Sequence, residues 1–344
     1  METKVKNIVG AAQKILVLQA DNPDADSLAS ALALEQILGE LGKDVYLYCG
    51  IDMPGYLKYL PGWDRVSSEI PSKFDASIIV DASTSTLFQK LAESGKQGWV
   101  ASKPCIVLDH HAEVDHLIPF ATVNMTDATV SSTGQLIYNL AKELAWPLDK
   151  TSAEFIMTSI LGDTQGLSND LTTAETYRVM AALIELGVDR PALEEKRREL
   201  SKMPPVIFRY KAQLIERTEF HADGKLAIID VPHKEIMEYS PLYNPNALIQ
   251  NEHLQTEGVL VSVAIKHYAD GRITAGIRCN TAAPVAADLA DHFGGGGHKY
   301  SAGFKIVGGK PFNQVKSECI KTATDLLAKL EQENTDETAQ HAHA

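Results

Sequence analysis

The segment KILVLQADNPDAD, residues 14–26, decides the fold of the first half of the chain. Its apolar run at 14–20 is typical of a buried strand, and the leucine spacing of the SLASALALEQILGELGK segment that follows predicts a helix. Further runs rich in Val, Ile and Leu at 44–50, 76–83 and 104–111 predict three more strands with helices between them. This pattern predicts a parallel sheet that is covered by helices on both faces.

Acidic and histidine side chains follow three of these predicted strands, and one further acidic residue ends the predicted helix SAEFIMTSILGD. A single Asp at such a place is typical of a helix cap or a turn. Several elements that bring carboxylates and imidazoles to one edge instead predict a ligand site, because α/β sheets bind ligands beyond the carboxyl ends of their strands. The residues are Asp21, Asp24, Asp26, Asp81, Asp109, His110, His111 and Asp163.

The acidic loop after the first strand favours a cation. Asp24 and Asp26 lie two residues apart and would repel each other unless a cation lay between them. Oxygen ligands combined with imidazole suit Mn²⁺ or Mg²⁺ better than a structural zinc ion. Asp81 is placed to bridge two ions, and His110 and Asp163 would complete the ligand set. Enzymes that catalyse in-line displacement at a phosphorus atom commonly use two such ions.

The sequence of the second half of the chain predicts a second, separate domain. We expect a first domain over 1–189, a helical linker over 190–222 broken by two prolines, and a second domain over 223–331. Strands are predicted for KLAIIDV, GVLVSVAIKHY and RITAGIRCN, and helices for PVAADLADHF and for the segment from Pro311 to about Glu331. The polar residues 332–344 predict a disordered acidic tail.

A glycine-rich segment, GGGGHKYSAGF, follows the first of these helices. The N–H groups of consecutive glycines such as Gly295, Gly296 and Gly297 can form an anion-binding nest, and His298 and Lys299 come directly after them. A flexible turn is the alternative. Arg278, on a predicted strand, suits bidentate contact with a phosphate, with a surface salt bridge as the alternative.

Together, NPDADS, VDAS, LDHHAEVD and GGGGHKYSAGF resemble the DHH phosphoesterase family with its DHH-associated C-terminal domain, over about residues 15–330. The two-domain length is most similar to the nanoRNase and pAp-phosphatase branch, which includes cyclic di-AMP phosphodiesterases. The resemblance implies a bilobal α/β protein: a doubly wound parallel sheet in the N-terminal domain, a smaller α/β C-terminal domain, and an interdomain cleft.

The resemblance also implies roles for individual residues. His111 matches the histidine beside the scissile phosphate, and Asp109 is expected to orient the imidazoles. Arg278 and the segment Gly295, Gly296, Gly297, His298 and Lys299 match the substrate-binding part. The implied cofactor is Mn²⁺, or Mg²⁺ or Co²⁺, as two ions. The implied metal ligands are Asp24, Asp26, Asp81, His110 and Asp163.

Two segments leave alternatives open. The family usually has a histidine four residues before the first motif aspartate, where this chain has Ala20. Asp21 or water would then replace the histidine, or Asp21 only caps the loop, so occupancy of the second metal site stays open. Ser131, Ser132 and Thr133 match another family segment, either as a helix cap or with a direct role.

The expected function is hydrolysis of short oligonucleotides (nanoRNA) or of small nucleotides such as pAp to mononucleotides. The alternatives are a cyclic dinucleotide phosphodiesterase, a single-strand exonuclease, and a non-catalytic nucleotide-binding relative, which Ala20 alone favours. A DHH-type pyrophosphatase is disfavoured because a Ser-Arg-Lys type clamp is not found in the sequence.

Composition limits the partners. With 45 acidic and 32 basic residues the net charge is −13, which argues against a protein that coats long nucleic acid. Residues 1–200 carry a net charge of −11 (28 acids, 17 bases) and residues 201–330 a net charge of +2 (13 acids, 15 bases).

Four widely spaced cysteines, with no CxxC pair, predict buried thiols in a reducing cytoplasm. No apolar run predicts a signal peptide or a membrane span, and a homodimer stays open.

Overall fold

The computed structural model describes residues 1–111, 117–200, 202–240 and 242–341, and for Leu200, His298 and residues 334–341 it describes the backbone only. The chain forms two compact units, Met1–Lys202 and Met203–Ala344.

The first unit is built on a parallel sheet. Its order is β3-β2-β1-β4-β5-β6 for the six strands of the described residues. The order reverses between β1 and β4, which is the doubly wound arrangement that opens a crevice beyond the carboxyl ends of those two strands. The strands are β1 (Lys14–Gln19), β2 (Asp44–Cys49), β3 (Val66–Ser67), β4 (Ala76–Val80), β5 (Cys105–Asp109) and β6 (Val123–Thr126).

Helices cover both faces of this sheet, as the sequence predicts. Successive side chains of β1 alternate between two apolar clusters: Val17 packs in one with Leu28 of α2, and Leu16 packs in the other with Leu91 of α3. The helices are α1 (Glu2–Ala11), α2 (Ala25–Glu40), α3 (Gln89–Glu93), α4 (Gln97–Ala101), α5 (Thr133–Leu144), α6 (Lys150–Asp163), α7 (Ala174–Glu185) and α8 (Arg190–Leu200).

The second unit contains a mixed sheet. Its order is β11-β12-β10-β9-β8-β7 over the part of the chain that is described, with β8 and β9 parallel and the other pairs antiparallel. The strands are β7 (Glu219–His221), β8 (Leu226–Pro232), β9 (Val261–His267), β10 (Ile273–Cys279), β11 (Gly296–His298) and β12 (Ser301–Ile306).

Two apolar clusters lie on opposite faces of this second sheet. Ile228 of β8 packs in the cluster that includes Val315 of α13, and its neighbour Ile229 packs in the cluster that includes Ile207 of α9. The fold is therefore the α/β pair of domains that the sequence predicts. The helices are α9 (Pro205–Glu216), α10 (His233–Tyr239), α11 (Pro245–Leu254), α12 (Ala286–Asp291) and α13 (Phe312–His341).

Two segments differ from the prediction. The proposed linker 190–222 is not a separate segment: α8 belongs to the first unit, whereas α9 and β7 belong to the second, where Tyr210 and Leu214 are fully buried. The final helix continues to His341 and so includes residues 332–341, for which a disordered tail is predicted. Ion pairing across one turn, as between Lys329 and Glu333, favours this extension. Residues 342–344 lie outside the described residues.

The four cysteines Cys49, Cys105, Cys279 and Cys319 are free and buried, as predicted. Among the described helices, none combines the length and the apolar character needed to cross a membrane.

Candidate metal centre

The carboxyl ends of β1, β4 and β5 and the last residue of α6 bring acidic and imidazole groups together. They form two groups, Asp81 with His110 and His111, and Asp26 with His110 and Asp163, and in each the three ligand atoms lie within 4.8 Å of one another. His110 belongs to both groups. The site therefore joins four of the five predicted metal ligands with the predicted catalytic histidine.

His110 lies at the centre of the cluster and is buried. Its Nε2 lies 2.8 Å from Asp163 Oδ2 and 3.7 Å from Asp81 Oδ1. Burial opposes the charged imidazole, but the hydrogen bond to Asp163 and the charge of Asp26 outweigh it and raise the pKa of His110 to about 9. Without a cation, a proton on His110 therefore neutralises part of the cluster's negative charge.

Asp26 is 1% exposed and is held from several sides. Its carboxylate accepts hydrogen bonds from the Thr133 N–H at 2.8 Å, from Ser159 Oγ at 2.5 Å and from Ser30 Oγ at 2.9 Å. Thr133 is the first residue of α5, so the positive end of that helix faces the carboxylate. These donors fix the orientation of Asp26 and leave Oδ2 3.6 Å from His110 Nε2.

The contact between α5 and α6 at this place requires glycine. A Cβ on Gly134 would lie 2.1 Å from Ser159 Oγ, the hydroxyl that bonds Asp26. Ser132 caps α5 by accepting a hydrogen bond from the Gln135 N–H at 3.1 Å. Thr133 supports a second proposed metal ligand, because its Oγ1 also donates to Asp81 Oδ1 at 3.2 Å. The helix cap is thus present at Ser132, and a direct role for this segment stays a prediction.

Asp81 follows β4 in a left-handed backbone conformation, with φ of 58°. A non-glycine residue held in that conformation costs roughly 1–3 kcal/mol and is typical of functional sites. Its N–H donates to Leu108 O at 2.9 Å, which holds the turn against β5. Burial and the neighbouring charges of Asp26 and Asp24 raise the pKa of Asp81 well above its usual range.

Asp163 is also unfavourably placed for an isolated carboxylate. Burial and the charge of Asp26 raise its pKa to about 7, although the hydrogen bond with His110 opposes the increase. Crowded carboxylates whose charges raise one another's pKa form a site that a cation stabilises. Carboxylate oxygens with imidazole nitrogen are ligands suited to Mn²⁺ and Mg²⁺. These residues therefore fit the divalent metal that the resemblance to the DHH family implies.

Asp109 and His111 form a pair beside this cluster. Asp109 Oδ1 accepts from the His110 N–H at 2.8 Å and lies 2.7 Å from His111 Nδ1, and its Oδ2 accepts a hydrogen bond from Ser83. Burial would raise the pKa of Asp109, but the hydrogen bonds and the charge of His111 lower it. The hydrogen bond to Asp109 in turn raises the pKa of His111. His111 is 45% exposed, so the pair combines a buried carboxylate with an accessible imidazole.

Three residues of the first motif lie outside both groups. Asp24 caps α2, accepting the Ser27 N–H at 3.0 Å, and its charge reaches the cluster by raising the pKa values of Asp81 and Asp163. Ala20 is buried, and its carbonyl accepts from Cys49 Sγ. Asp21 Oδ2 accepts the Lys90 N–H at 2.7 Å, as the loop-capping alternative predicts, whereas its Oδ1 is buried without a hydrogen-bond partner, so replacement of the missing ligand stays an open alternative.

The glycine-rich segment of the second unit differs in part from an anion nest. The Gly295 N–H donates to Ala290 O at 2.9 Å and so is not free to bind an anion. Gly297 is required by close packing, because an added Cβ would lie 2.6 Å from the Ala302 Cα. Gly296 pairs with β12 as part of β11. The segment therefore forms a short edge strand.

Two basic residues were predicted to accompany this segment. Lys299 Nζ lies 5.0 Å from the centre of the Tyr300 ring. Arg278 is exposed, and no carboxylate pairs with it among the residues that the structure describes. The side chain of His298 lies outside the described part. Substrate binding by Arg278, Gly296, Gly297, His298 and Lys299 thus stays a prediction.

Sequence reasoning missed the hydroxyl groups that hold the carboxylates. Ser30 and Ser159 bond Asp26, and Ser83 bonds Asp109. The available signal was a small polar residue inside a mostly apolar segment, such as Ser159 in IMTSIL. That signal is weak, because serine also occurs in buried helices without any contact to a site.

Comparison with known proteins gives a family match and two similar proteins. The model of the DHH family, N-terminal domain, matches residues 14–160. The chain is 28% identical over 287 residues to the bifunctional oligoribonuclease and PAP phosphatase NrnA of Thermus thermophilus, covering 83% of this chain and 82% of that protein. It is 22% identical to the protein of the same name from Bacillus subtilis, covering 89% and 93%.

A solved structure shows the same fold. The exopolyphosphatase-related protein from Bacteroides fragilis aligns with a TM-score of 0.83 over 95% of this chain and 97% of its own, at 20% identity.

Proposed function

We propose that the protein is a metal-dependent phosphoesterase that hydrolyses short oligonucleotides and small nucleotides such as pAp to mononucleotides, because residues 14–160 match the model of the DHH family, N-terminal domain. The observation that carries the proposal is that His110 belongs to two groups of metal-ligating atoms at the carboxyl edge of the sheet. The choice of substrate is supported by the names of the two related oligoribonuclease and PAP phosphatase proteins.

Asp26, Asp81, His110 and Asp163 would hold the metal. A bound divalent cation supplies a more acidic water molecule and neutralises charge on phosphoryl oxygens. The chain's own contribution is to fix the ligands before substrate arrives: Ser159 and Thr133 orient Asp26, and the α5–α6 contact at Gly134 keeps both donors in place. Asp24 stays a predicted fifth ligand, although its Oδ1 also caps α2.

His111, oriented by Asp109, would act on the substrate phosphate. Asp109 occupies Nδ1 of His111, so the other ring nitrogen remains for the phosphate. The carboxylate favours the imidazolium form, which places a hydrogen-bond donor and a positive charge beside the anionic group. In this role Asp109 is a positioning residue and His111 contacts the substrate.

The test is turnover by the full-length protein with a panel of substrates: a diribonucleotide, pAp, a cyclic dinucleotide and a long single strand. Each is assayed with Mn²⁺, Mg²⁺ or Co²⁺ and with EDTA. We expect fast hydrolysis of the diribonucleotide or pAp with at least one metal, and none with EDTA. Asp81→Asn should abolish turnover, whereas Asp44→Asn, an exposed residue at the amino end of β2, should not.

Other outcomes separate the alternatives. Faster hydrolysis of long strands than of dinucleotides would indicate an exonuclease, and preference for the cyclic substrate a cyclic dinucleotide phosphodiesterase. Nucleotide binding without turnover in saturating Mn²⁺ would contradict the proposed activity and favour a non-catalytic relative.

A further inference from the structure

An exposed tyrosine of the first unit is tied to the loop that carries the first aspartates of the metal centre. Tyr56 is 66% exposed, and its hydroxyl donates to Pro23 O at 2.9 Å, across 33 residues of chain. Pro23 directly precedes Asp24, so the Cα atoms of these two residues lie about 3.8 Å apart. The hydrogen bond therefore fixes the tip of the Tyr56 ring beside this loop.

The backbone of Tyr56 is fixed as well. Tyr56 lies in the single 3-10 turn Gly55–Leu57, in which the Leu57 N–H donates to Pro54 O at 3.0 Å. The side chains of Leu57 and Leu60 are buried in the apolar cluster under the sheet of the first unit. The ring is thus held at both ends while its surface stays exposed, and a side chain that is already ordered loses little freedom when a ligand binds.

The charge of Asp24 acts both on this tyrosine and on the ligand cluster. Desolvation and then the charge of Asp24 raise the pKa of Tyr56, so its hydroxyl stays protonated and keeps donating near neutral pH. After burial and the charge of Asp26, Asp24 also contributes to the raised pKa of Asp81. One carboxylate is therefore close to both features, and the ring borders the place where a substrate phosphate would react.

The ring suits one class of ligand group in particular. A carboxylate-rich site repels a further anion, whereas a neutral aromatic surface next to it offers stacking to a flat, uncharged group. Every nucleobase has such a face, and stacking of a base on an aromatic side chain strengthens binding by about tenfold or more. A phosphate at the metal centre would carry its base at the distance of one sugar.

We propose that Tyr56 stacks on the base of the nucleotide whose phosphate lies at the metal centre. The inference rests on the proposed function for the choice of a nucleotide as ligand. It makes Tyr56 a specificity-determining residue that favours phosphate esters with a base over those without one. It also predicts a preference for purines over pyrimidines, because the larger ring system stacks more strongly.

The experiment measures binding to the full-length protein by calorimetry in Mn²⁺. The ligands are AMP, UMP and ribose 5-phosphate, which carries a hydroxyl in place of the base. None of them contains an internucleotide bond, so binding is measured apart from phosphodiester hydrolysis. We expect AMP to bind at least about tenfold more tightly than ribose 5-phosphate, with UMP between the two.

Variants assign the effect to the ring. Tyr56→Leu keeps an apolar side chain but removes the ring, so the preference for AMP over ribose 5-phosphate should fall about tenfold, with the affinity for ribose 5-phosphate unchanged. Tyr56→Phe keeps the ring and loses only the hydrogen bond to Pro23, so most of the preference should remain. Tyr177→Ala, which removes a 55% exposed tyrosine of α7, is the matched control and should bind all three ligands normally. Thermal unfolding shows that each variant is folded.

Equal binding of AMP and ribose 5-phosphate by the unchanged protein would overturn the inference. A preference that survives Tyr56→Leu would overturn it too, and so would equal weakening of both ligands, which would mark a purely structural role of the turn. A protein that hydrolyses the substrate panel but fails these comparisons loses this inference alone. A protein that shows the Tyr56-dependent preference but hydrolyses nothing loses the proposed function alone.

Discussion

His110 Nε2 and Asp163 Oδ2 lie 2.8 Å apart, which joins the end of β5 to the end of α6. This contact connects the histidine that belongs to both groups with a carboxylate from a different layer of the fold. Without metal, the two side chains satisfy each other with a shared proton. When a metal binds as proposed, that proton must leave, so the same contact would contribute both to the affinity for metal and to its dependence on pH.

Asp163→Asn tests the metal centre. The amide keeps an oxygen near His110 but removes a charge, so we expect kcat/KM to fall by more than the roughly 10- to 100-fold typical of residues that only support metal ligands. The rise in unfolding temperature on adding Mn²⁺ should also shrink. Asp44→Asn is the charge-matched control. Equal stabilisation of both variants by Mn²⁺ would contradict a role for Asp163 at the metal.

Metal affinity should increase with pH. The pKa of about 9 for His110 means that this group holds a proton near neutrality in the metal-free protein, and the pKa of about 7 for Asp163 means that it takes up a further proton as pH falls below 7. Metal must displace these protons. We expect Mn²⁺ affinity at pH 8 to exceed that at pH 6 by at least about tenfold. Calorimetry in buffers of different ionisation enthalpy counts the released protons; a pH-independent affinity without proton release would disprove the prediction.

Asp109→Asn tests the positioning of His111. The hydrogen bond from Asp109 raises the pKa of His111, so its loss should lower that pKa, which NMR titration of the metal-free protein measures. Turnover should fall roughly 10- to 100-fold, as for other residues that orient a functional group. Ser83→Ala removes one hydrogen bond from Asp109 and should give a smaller loss of turnover without lowering the pKa of His111. An unchanged His111 pKa in Asp109→Asn would refute the pairing.

Gly134→Ala tests the contact between α5 and α6. The added methyl group would meet Ser159 Oγ, so we expect a loss of roughly 1–3 kcal/mol in the free energy of unfolding and a further loss of activity through Asp26. Gly39→Ala, in α2 with open space around it, is the control and should raise stability by up to about 1 kcal/mol. Chemical denaturation measures both, and similar values for the two variants would contradict the clash.

His253 gives the second unit a pH-dependent stability. It is 3% exposed between Thr218 Oγ1 and Ser262 Oγ, and burial lowers its pKa to about 4. The contribution of neutral, buried His253 to the free energy of unfolding is complete above the unfolded-state pKa of about 6.5. It declines as pH falls from there towards 4, by at most about 3 kcal/mol.

The His253→Gln variant lacks this pH-dependent contribution to the free energy of unfolding. The difference in unfolding free energy between pH 7 and pH 4 should therefore be smaller than in the unchanged protein. Denaturation curves that shift with pH by the same amount in both proteins would show that His253 does not titrate as predicted.

The sequence predicts the fold well where elements are long. Buried strands at 14–20, 44–50, 76–83 and 104–111 appear as β1, β2, β4 and β5. By contrast, β3 and β6 have only two and four residues, too few for a periodic pattern to show. The glycine-rich segment was expected to form a nest, but the Gly295 N–H donates to Ala290 O, and neighbouring backbone packs closely against Gly295 and Gly297. The presence of a glycine in the sequence does not indicate which residue packs against it in the folded protein.

What the sequence by itself determined is the edge of the sheet at which the chemistry lies. Parallel strands end on the same side, so Asp26, Asp81 and His110, each following a strand, had to approach one another. The tertiary structure alone decided the finer roles. Asp24 caps a helix and Asp21 a loop, while Asp26 is held by Thr133 and Ser159, which are 107 and 133 residues away along the chain. Hydrogen bonds over such distances depend on how helices pack, which no local pattern encodes.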